Sequence, residues 1–178
     1  LFLTGPPGVR EPEAARRIVA EGIQVIADEA ERAGVVAALE PIQREFAHFW
    51  TLVSTLREAA ALLEQAGQPG LPLLFDTWHL WNDELLFEDI DRYAGRFAGV
   101  HVADWRAATR NTNDRVFPGE GIAGLPRILG ALEAAGYRGW YDVEIFSDAE
   151  LEGSLWRLEP AEAARRAVAG FESVWAAR

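Results

Sequence analysis

The segment "LPLLFDTWHLW", residues 71–81, contains a short apolar run that ends in an acidic residue. The run follows the turn-forming stretch "GQPG" (67–70) and closes at Asp76, with His79 three positions further on. Short apolar runs bounded by turn residues are typical of strands buried in a parallel sheet. The segment therefore predicts a buried strand that carries a carboxylate at its carboxyl end.

Similar runs recur on both sides of this strand and alternate with amphipathic stretches. The predicted strands cover residues 1–5, 35–41, 71–76, 97–104 and 139–146, and the predicted helices cover 11–33, 55–66, 87–96, 125–136 and 159–177. A long polar loop is predicted over 105–124. Five β–α units in succession predict a parallel sheet covered by helices.

Two architectures agree with this alternation: an open doubly wound sheet and a (β/α)8 TIM barrel. No G-x-G-x-x-G motif follows any predicted strand, which removes the main support for a dinucleotide-binding sheet. A TIM barrel usually needs about 250 residues, whereas this chain has 178. We expect a single domain over residues 1–178 that forms the C-terminal five β–α units of a truncated barrel.

The composition excludes several classes of function. The chain has no cysteine and no lysine, which rules out a cysteine nucleophile, a Schiff-base lysine and a P-loop lysine. A formal net charge of −11 argues against nucleic acid as a partner. No apolar run is long enough for a membrane span. These features predict a cytoplasmic protein without a membrane or nucleic-acid partner.

Four consecutive predicted strands end in a residue that can bind a metal. These residues are Glu40, Asp76, His101 and Glu144. Because the carboxyl ends of parallel strands lie side by side, we expect the four side chains to meet. Three carboxylates and one imidazole suit one divalent metal, with Mn²⁺, Mg²⁺ or Co²⁺ favoured and Zn²⁺ as an alternative.

Each of these residues also has a structural interpretation. Glu40 or Asp76 could cap the next helix, and His101 could be an ordinary core histidine. Glu144 lies among apolar neighbours, and burial of a carboxylate without a partner is costly. Asp104 could either cap the following turn or orient His101.

Five motifs, in chain order, resemble one family of enzymes. "LEP" (39–41), "DTWH" (76–79), "HVADW" (101–105), "PGEG" (118–121) and "GYRGWYDVEIFS" (136–147) are similar to the sugar-phosphate isomerases and epimerases of the xylose isomerase-like TIM barrels. The resemblance covers essentially the whole chain. It implies that the four strand-end residues bind one metal, and that Glu40 and Glu144 exchange protons with a small sugar through an enediolate.

The resemblance also implies substrate contacts. His79 would hydrogen-bond a substrate oxygen. The arginine of the ketose 3-epimerases falls at Ala107 by its spacing from the metal-binding histidine, so we predict that Arg106 or Arg110 replaces it. The alternative is that both, together with Arg115, are ordinary solvated loop residues.

Other functions remain open at this point. An inosose-type dehydratase would use the same metal site, whereas a DNA-repair endonuclease of this family would need more histidines than the three present. A truncated barrel could instead be a non-catalytic binding or association module, with unpaired sheet edges that favour a homo-oligomer.

Overall fold

The strands of the sheet lie in the order of the sequence. The structure, a computed structural model, describes all residues from 1 to 178. Its strands are β1 (Leu73–Asp76), β2 (Phe97–Val102), β3 (Asp104–Trp105), β4 (Arg115–Val116) and β5 (Tyr141–Val143). Strands β1, β2 and β5 form a parallel sheet in that order, while β3 and β4 form a separate antiparallel ribbon.

Two isolated parallel bridges extend the sheet beyond β1. Leu39 pairs with Leu73, and Phe2 pairs with Leu39. Five strand positions therefore lie side by side without a reversal of order. A doubly wound sheet reverses its strand order at a switch point, so the observed order is that of a barrel.

The predicted strands over 1–5 and 35–41 are much shorter than expected. Each is reduced to one bridge, at Phe2 and at Leu39. Pro41 has no N–H group to donate to a neighbouring strand, and Val35 and Val36 are exposed rather than packed on the sheet. The predicted loop over 105–124 also needs correction, because it contains β4.

Seven α-helices cover the sheet. They are α1 (Pro12–Ala33), α2 (Ala47–Trp50), α3 (Leu56–Gln65), α4 (Thr77–Leu80), α5 (Leu86–Tyr93), α6 (Leu125–Ala134) and α7 (Pro160–Ala176), with 3₁₀ turns at Arg44–Phe46, Ala94–Arg96 and Leu155–Arg157. As predicted, Gly34 ends α1 in the left-handed conformation (φ 66°) and Pro160 begins α7. The one-turn helix α4 follows β1 directly.

The core lies between the sheet and the helices. Its 30 buried residues form one cluster that includes Leu39, Leu73, Phe75 and Trp78. No helix is both long and apolar enough to cross a membrane. The packed core leaves the carboxyl ends of the parallel strands at one end of the sheet, where the polar residues collect.

Candidate functional site

The four strand-end residues predicted from the sequence lie together. Asp76 and His101 are paired in the register of β1 and β2, Glu144 follows β5, and Glu40 follows the bridge at Leu39. One ligand atom from each of these four side chains lies within 4.8 Å of the others. We refer to Glu40, Asp76, His101 and Glu144 as the strand-end cluster.

His101 lies between two carboxylates of this cluster. Its Nδ1 is 3.6 Å from Glu40 Oε1 and 3.3 Å from Glu144 Oε2. Burial alone would lower the pKa of His101, but Glu144 and Glu40 outweigh this effect and raise it to about 10. Burial raises the pKa of Glu40 above its ordinary value. The two carboxylates thus favour the protonated imidazole as long as no other cation balances their charge.

Asp76 is a helix cap and a member of the cluster at the same time. Its Oδ1 accepts a hydrogen bond from Trp78 N at 2.7 Å and caps α4, while its Oδ2 accepts from Arg115 Nη1 at 2.8 Å. Burial favours a higher pKa for Asp76, but the charge of Arg115 and the hydrogen bond from Trp78 N hold it below its ordinary value. The two sequence interpretations of Asp76 are thus compatible, because each carboxylate oxygen has its own role.

Arg115 is the residue that the sequence prediction missed. It is 3% exposed, and its Nη1 also lies 2.9 Å from Glu144 Oε2. Strand β4 places it there, since Arg115 pairs with Trp105 and its backbone N–H donates to Phe146 O at 3.2 Å. Its guanidinium carbon lies 5.0 Å from the ring centroid of Trp78. Arg115 is therefore buried against the cluster, which rules out for this residue the alternative of a solvated loop side chain.

Arg106 and Arg110 lie elsewhere. Both donate to the carboxylate of Asp114, and neither lines the cavity described below. The prediction rested on a spacing from His101, and the structure gives both arginines a carboxylate partner outside the cavity. Counting back from "PGEG" would have been the better signal, because Arg115 lies just before that motif and next to two apolar residues, Val116 and Phe117.

His79 is held in one tautomer. Its Nδ1 accepts a hydrogen bond from Gln43 N at 3.2 Å, and burial lowers its pKa to about 4. The ring is therefore neutral and carries its proton on Nε2, which lies 3.3 Å from Arg115 Nη2 and 3.7 Å from Asp76 Oδ2. His79 can donate a hydrogen bond at the edge of the cavity, and it lies on α4 rather than in a loop.

A cavity of about 330 Å³ opens beside the strand-end cluster. Its polar side includes Glu40, Glu144, His79 and Arg115. The rest is mainly an apolar wall, with Thr112 and Asn113 at one side; the wall residues are Leu1, Leu3, Ile42, Phe46, Trp50, Trp78 and Phe146. A cavity with an apolar wall and convergent polar groups is typical of a small-molecule site.

Asp104 supports the turn that follows, which was one of its two predicted roles. Its carboxylate accepts from Trp105 N at 2.9 Å, Gly119 N at 3.0 Å and Ala123 N at 2.9 Å. A Cβ atom at Gly121 would lie 2.4 Å from Trp105 O, so the "PGEG" turn needs a glycine there. Glu120 pairs with Arg166 at the surface. The motif is therefore an anchor for the segment around β4.

The strand-end cluster fits a divalent metal. Glu40 Oε1 and His101 Nδ1 are buried atoms without a hydrogen-bond partner. Buried polar atoms normally have a partner, and orphaned ones point to an ion or ligand. Three carboxylates and one imidazole are a donor set suited to Mg²⁺, Mn²⁺, Co²⁺ or Zn²⁺.

Comparison with known proteins identifies the family. One relative is an inosose dehydratase of Geobacillus thermodenitrificans, which is 30% identical over 57% of this chain and 39% of the relative. Another is the 3-dehydro-D-guloside 4-epimerase of Escherichia coli, which is 24% identical over 90% of this chain and 54% of the relative. A crystal structure of a Sinorhizobium meliloti protein matches with a TM-score of 0.85 and 32% identity, over 96% of this chain and 62% of that one.

The chain thus spans about 39% and 54% of the lengths of those two relatives. The family model described as "Xylose isomerase-like TIM barrel" matches residues 1–174. The predicted fold class is confirmed by this match. The chain belongs to the family of xylose isomerase-like TIM barrels.

Proposed function

We propose that this chain carries the active site of a metal-dependent isomerase or epimerase that acts on a small sugar or ketose. The observation that carries the proposal is the convergence of Glu40, Asp76, His101 and Glu144 at the edge of a cavity. The relatives support the same class of reaction, because they include sugar-processing enzymes.

One divalent metal would be held by the four residues of the strand-end cluster. When bound, it would polarise a substrate carbonyl and stabilise the negative charge that develops on the neighbouring oxygen. The metal is Mn²⁺, Mg²⁺ or Co²⁺ in our proposal, with Zn²⁺ as the alternative.

Glu40 and Glu144 would move the carbon-bound proton. Both line the cavity, but their surroundings differ: Glu40 is buried and has a raised pKa, whereas Glu144 lies against Arg115. Two carboxyl groups in different environments allow one to accept a proton while the other donates one. The apolar wall of the cavity would keep water away from the reacting carbon.

His79 and Arg115 would bind the substrate. The Nε2–H group of His79 can donate to a substrate oxygen, because Gln43 N holds the other ring nitrogen as an acceptor. We assign the substrate-binding arginine to Arg115, since Arg106 and Arg110 are occupied by Asp114. A sugar hydroxyl or carbonyl within reach of Arg115 would meet a charged donor.

Dehydration of an inosose is the second candidate, and the match to an inosose dehydratase favours it. Proton removal would then be followed by loss of a hydroxyl group rather than by return of the proton. A cytoplasmic location, a sugar as partner without nucleic acid, self-association and a single domain over 1–178 stay predictions.

Product analysis in heavy water distinguishes the two reactions. The full chain with Mn²⁺ is incubated in D₂O with D-allulose, L-ribulose, hydroxypyruvate and 2-keto-myo-inositol, and products are followed by NMR. An isomerase or epimerase introduces deuterium next to the carbonyl and retains all oxygens, whereas a dehydratase releases water. No deuterium incorporation and no water loss with any of the four would contradict the proposed function.

A further inference from the structure

Asp114 is a buried carboxylate that the proposed reaction does not use. It lies between Asn113, which lines the cavity, and Arg115, which contacts the strand-end cluster. We propose that Asp114 is a positioning residue: it fastens the loop formed by residues 106–114 and thereby sets Arg115 against Asp76 and Glu144. The proposal rests on the proposed function only where Arg115 is taken to act on a substrate.

Both oxygens of Asp114 are bound to arginines of the same loop. Oδ1 accepts from Arg106 Nε at 2.9 Å and Arg110 Nη2 at 2.7 Å, and Oδ2 accepts from Arg110 Nε at 2.7 Å and from its backbone N at 3.1 Å. The carboxylate is 3% exposed. Charge-assisted, two-point contacts of this kind fix the geometry of both partners.

The loop is also tied to the segment after β5. Arg110 Nη1 donates to Glu152 O at 2.9 Å, and Asn111 Nδ2 donates to Asp148 Oδ2 at 3.0 Å. That segment begins just after Glu144. Asp114 with Arg106 and Arg110, which we call the Asp114 clasp, fixes the loop internally. The contacts of Arg110 and Asn111 then join the fixed loop to the segment that follows Glu144.

Regular structure alone gives Arg115 little support. The ribbon of β3 and β4 contains two residues on each strand, and short ribbons are marginal on their own. Without the charge of Asp114, the guanidinium groups of Arg106 and Arg110 would repel each other within one loop. The clasp thus removes a local repulsion and holds Arg115 at the same time.

Removal of the charge should therefore release the loop. In the Asp114→Asn variant, we expect faster amide exchange over residues 106–116, because the amide replaces one of the two accepting oxygens by a donor that faces the guanidinium groups. We also expect kcat/KM to fall by roughly 100-fold, since small displacements of a substrate-binding group have effects of that size. Most of the loss should appear in kcat when Arg115 acts in the transition state.

A double-mutant cycle tests whether Asp114 acts through Arg115. The four proteins are the parent, Asp114→Asn, Arg115→Gln and the double variant, each assayed with the substrate found above and by hydrogen exchange. Once Arg115 is absent, the proposal predicts that Asp114→Asn causes little further loss of kcat/KM. Arg115→Gln by itself should leave most of the protection of Arg110 N, because the clasp remains.

Two further variants keep the test decisive. Asp89→Asn removes a buried aspartate of α5 that pairs with Arg57 of α3, and it should leave kcat/KM and exchange over 106–116 unchanged. Arg110→Gln opens the clasp while Asp114 and Arg106 remain, and it should accelerate exchange in the same segment. It replaces Asp114→Asn if that variant does not fold.

The proposal is overturned if the losses in kcat/KM of the two single variants multiply in the double variant. It is also overturned if amide exchange over 106–116 is as slow in Asp114→Asn as in Asp89→Asn. If no substrate is turned over, the proposed function fails. The exchange measurements still decide whether Asp114 holds the segment that carries Arg115.

Discussion

The strand-end cluster and the Asp114 clasp are each built around buried carboxylates, and they differ in how completely their buried polar atoms are paired. In the Asp114 clasp, both carboxylate oxygens accept hydrogen bonds from arginines. In the strand-end cluster, Glu40 Oε1 and His101 Nδ1 have no hydrogen-bond partner. A fully paired group stabilises structure by itself, whereas unpaired buried atoms within a set of metal-ligand side chains are those that a bound ion could complete.

The clasp and the strand-end cluster also differ in the balance of positive and negative charge. The clasp has two guanidinium groups for one carboxylate. The cluster has three carboxylates, which Arg115 and the protonated His101 offset only in part. The cluster is therefore the place in which an additional cation is favourable, and the following predictions test this difference.

The largest expected effect is on turnover. Glu144→Gln and Glu40→Gln each remove a group that would transfer a proton, so we expect kcat to fall by about 1,000-fold. Steady-state assays of both variants, on the substrate identified by NMR, measure the fall in kcat. Glu120→Gln is the matched control, because Glu120 pairs with Arg166 at the surface. If Glu144→Gln turns over as fast as this control, Glu144 has no role in proton transfer.

The next effect is on metal affinity. His101→Ala removes a proposed ligand, and we expect the dissociation constant for Mn²⁺ to rise by about 100-fold. Calorimetric titration of the chelator-treated protein measures the change. His48→Ala is the control, since His48 is exposed on α2. Equal Mn²⁺ affinity in the two variants would mean that the cluster is not the metal site.

The clasp should affect stability rather than metal affinity. Asp114→Asn is expected to lower the free energy of unfolding at pH 7 by about 2 kcal/mol, because hydrogen bonds to a buried charge are lost. Burial favours a higher pKa for Asp114, but the hydrogen bonds from Arg110 and Arg106 hold it below its ordinary value.

The sign of the pH dependence follows from this lowered pKa. The stabilisation by Asp114 is fully present above the unfolded-state pKa of about 3.9 and is lost as the pH falls through the lower folded-state value. Urea unfolding of the parent and Asp114→Asn proteins should therefore give curves that differ at pH 7 and converge below about pH 4. A constant difference down to pH 2 would contradict this account.

The smallest loss of stability is expected at Asp89, a buried aspartate that pairs with Arg57. Burial raises the pKa of Asp89 although Arg57 opposes the change, and Asp89 Oδ2 has no hydrogen-bond partner. We therefore expect Asp89→Asn to cost about 1 kcal/mol, less than Asp114→Asn. Urea unfolding at pH 7 compares the two variants directly. A larger loss of unfolding free energy for Asp89→Asn would show that the hydrogen bonds to each carboxylate do not determine its contribution to stability.

Much of the fold and the cluster could be predicted because each depends on local sequence. Gly34 and Pro160 mark helix ends, and the residues at the strand ends follow from the parallel arrangement. The position of Arg115 could not be predicted from its spacing to His101, because the intervening loop is held by contacts between Asp114, Arg106 and Arg110. The pairing of β4 with β3 also depends on the "PGEG" turn, which Asp104 anchors through hydrogen bonds that span 15 and 19 positions.

Anomalous diffraction from crystals grown with Mn²⁺ tests the central claim most directly. We predict one strong anomalous peak per chain, at coordinating distance from Glu40, Asp76, His101 and Glu144, and no peak at the Asp114 clasp. A map without a peak among these four side chains, with Mn²⁺ bound elsewhere or not at all, would contradict the account.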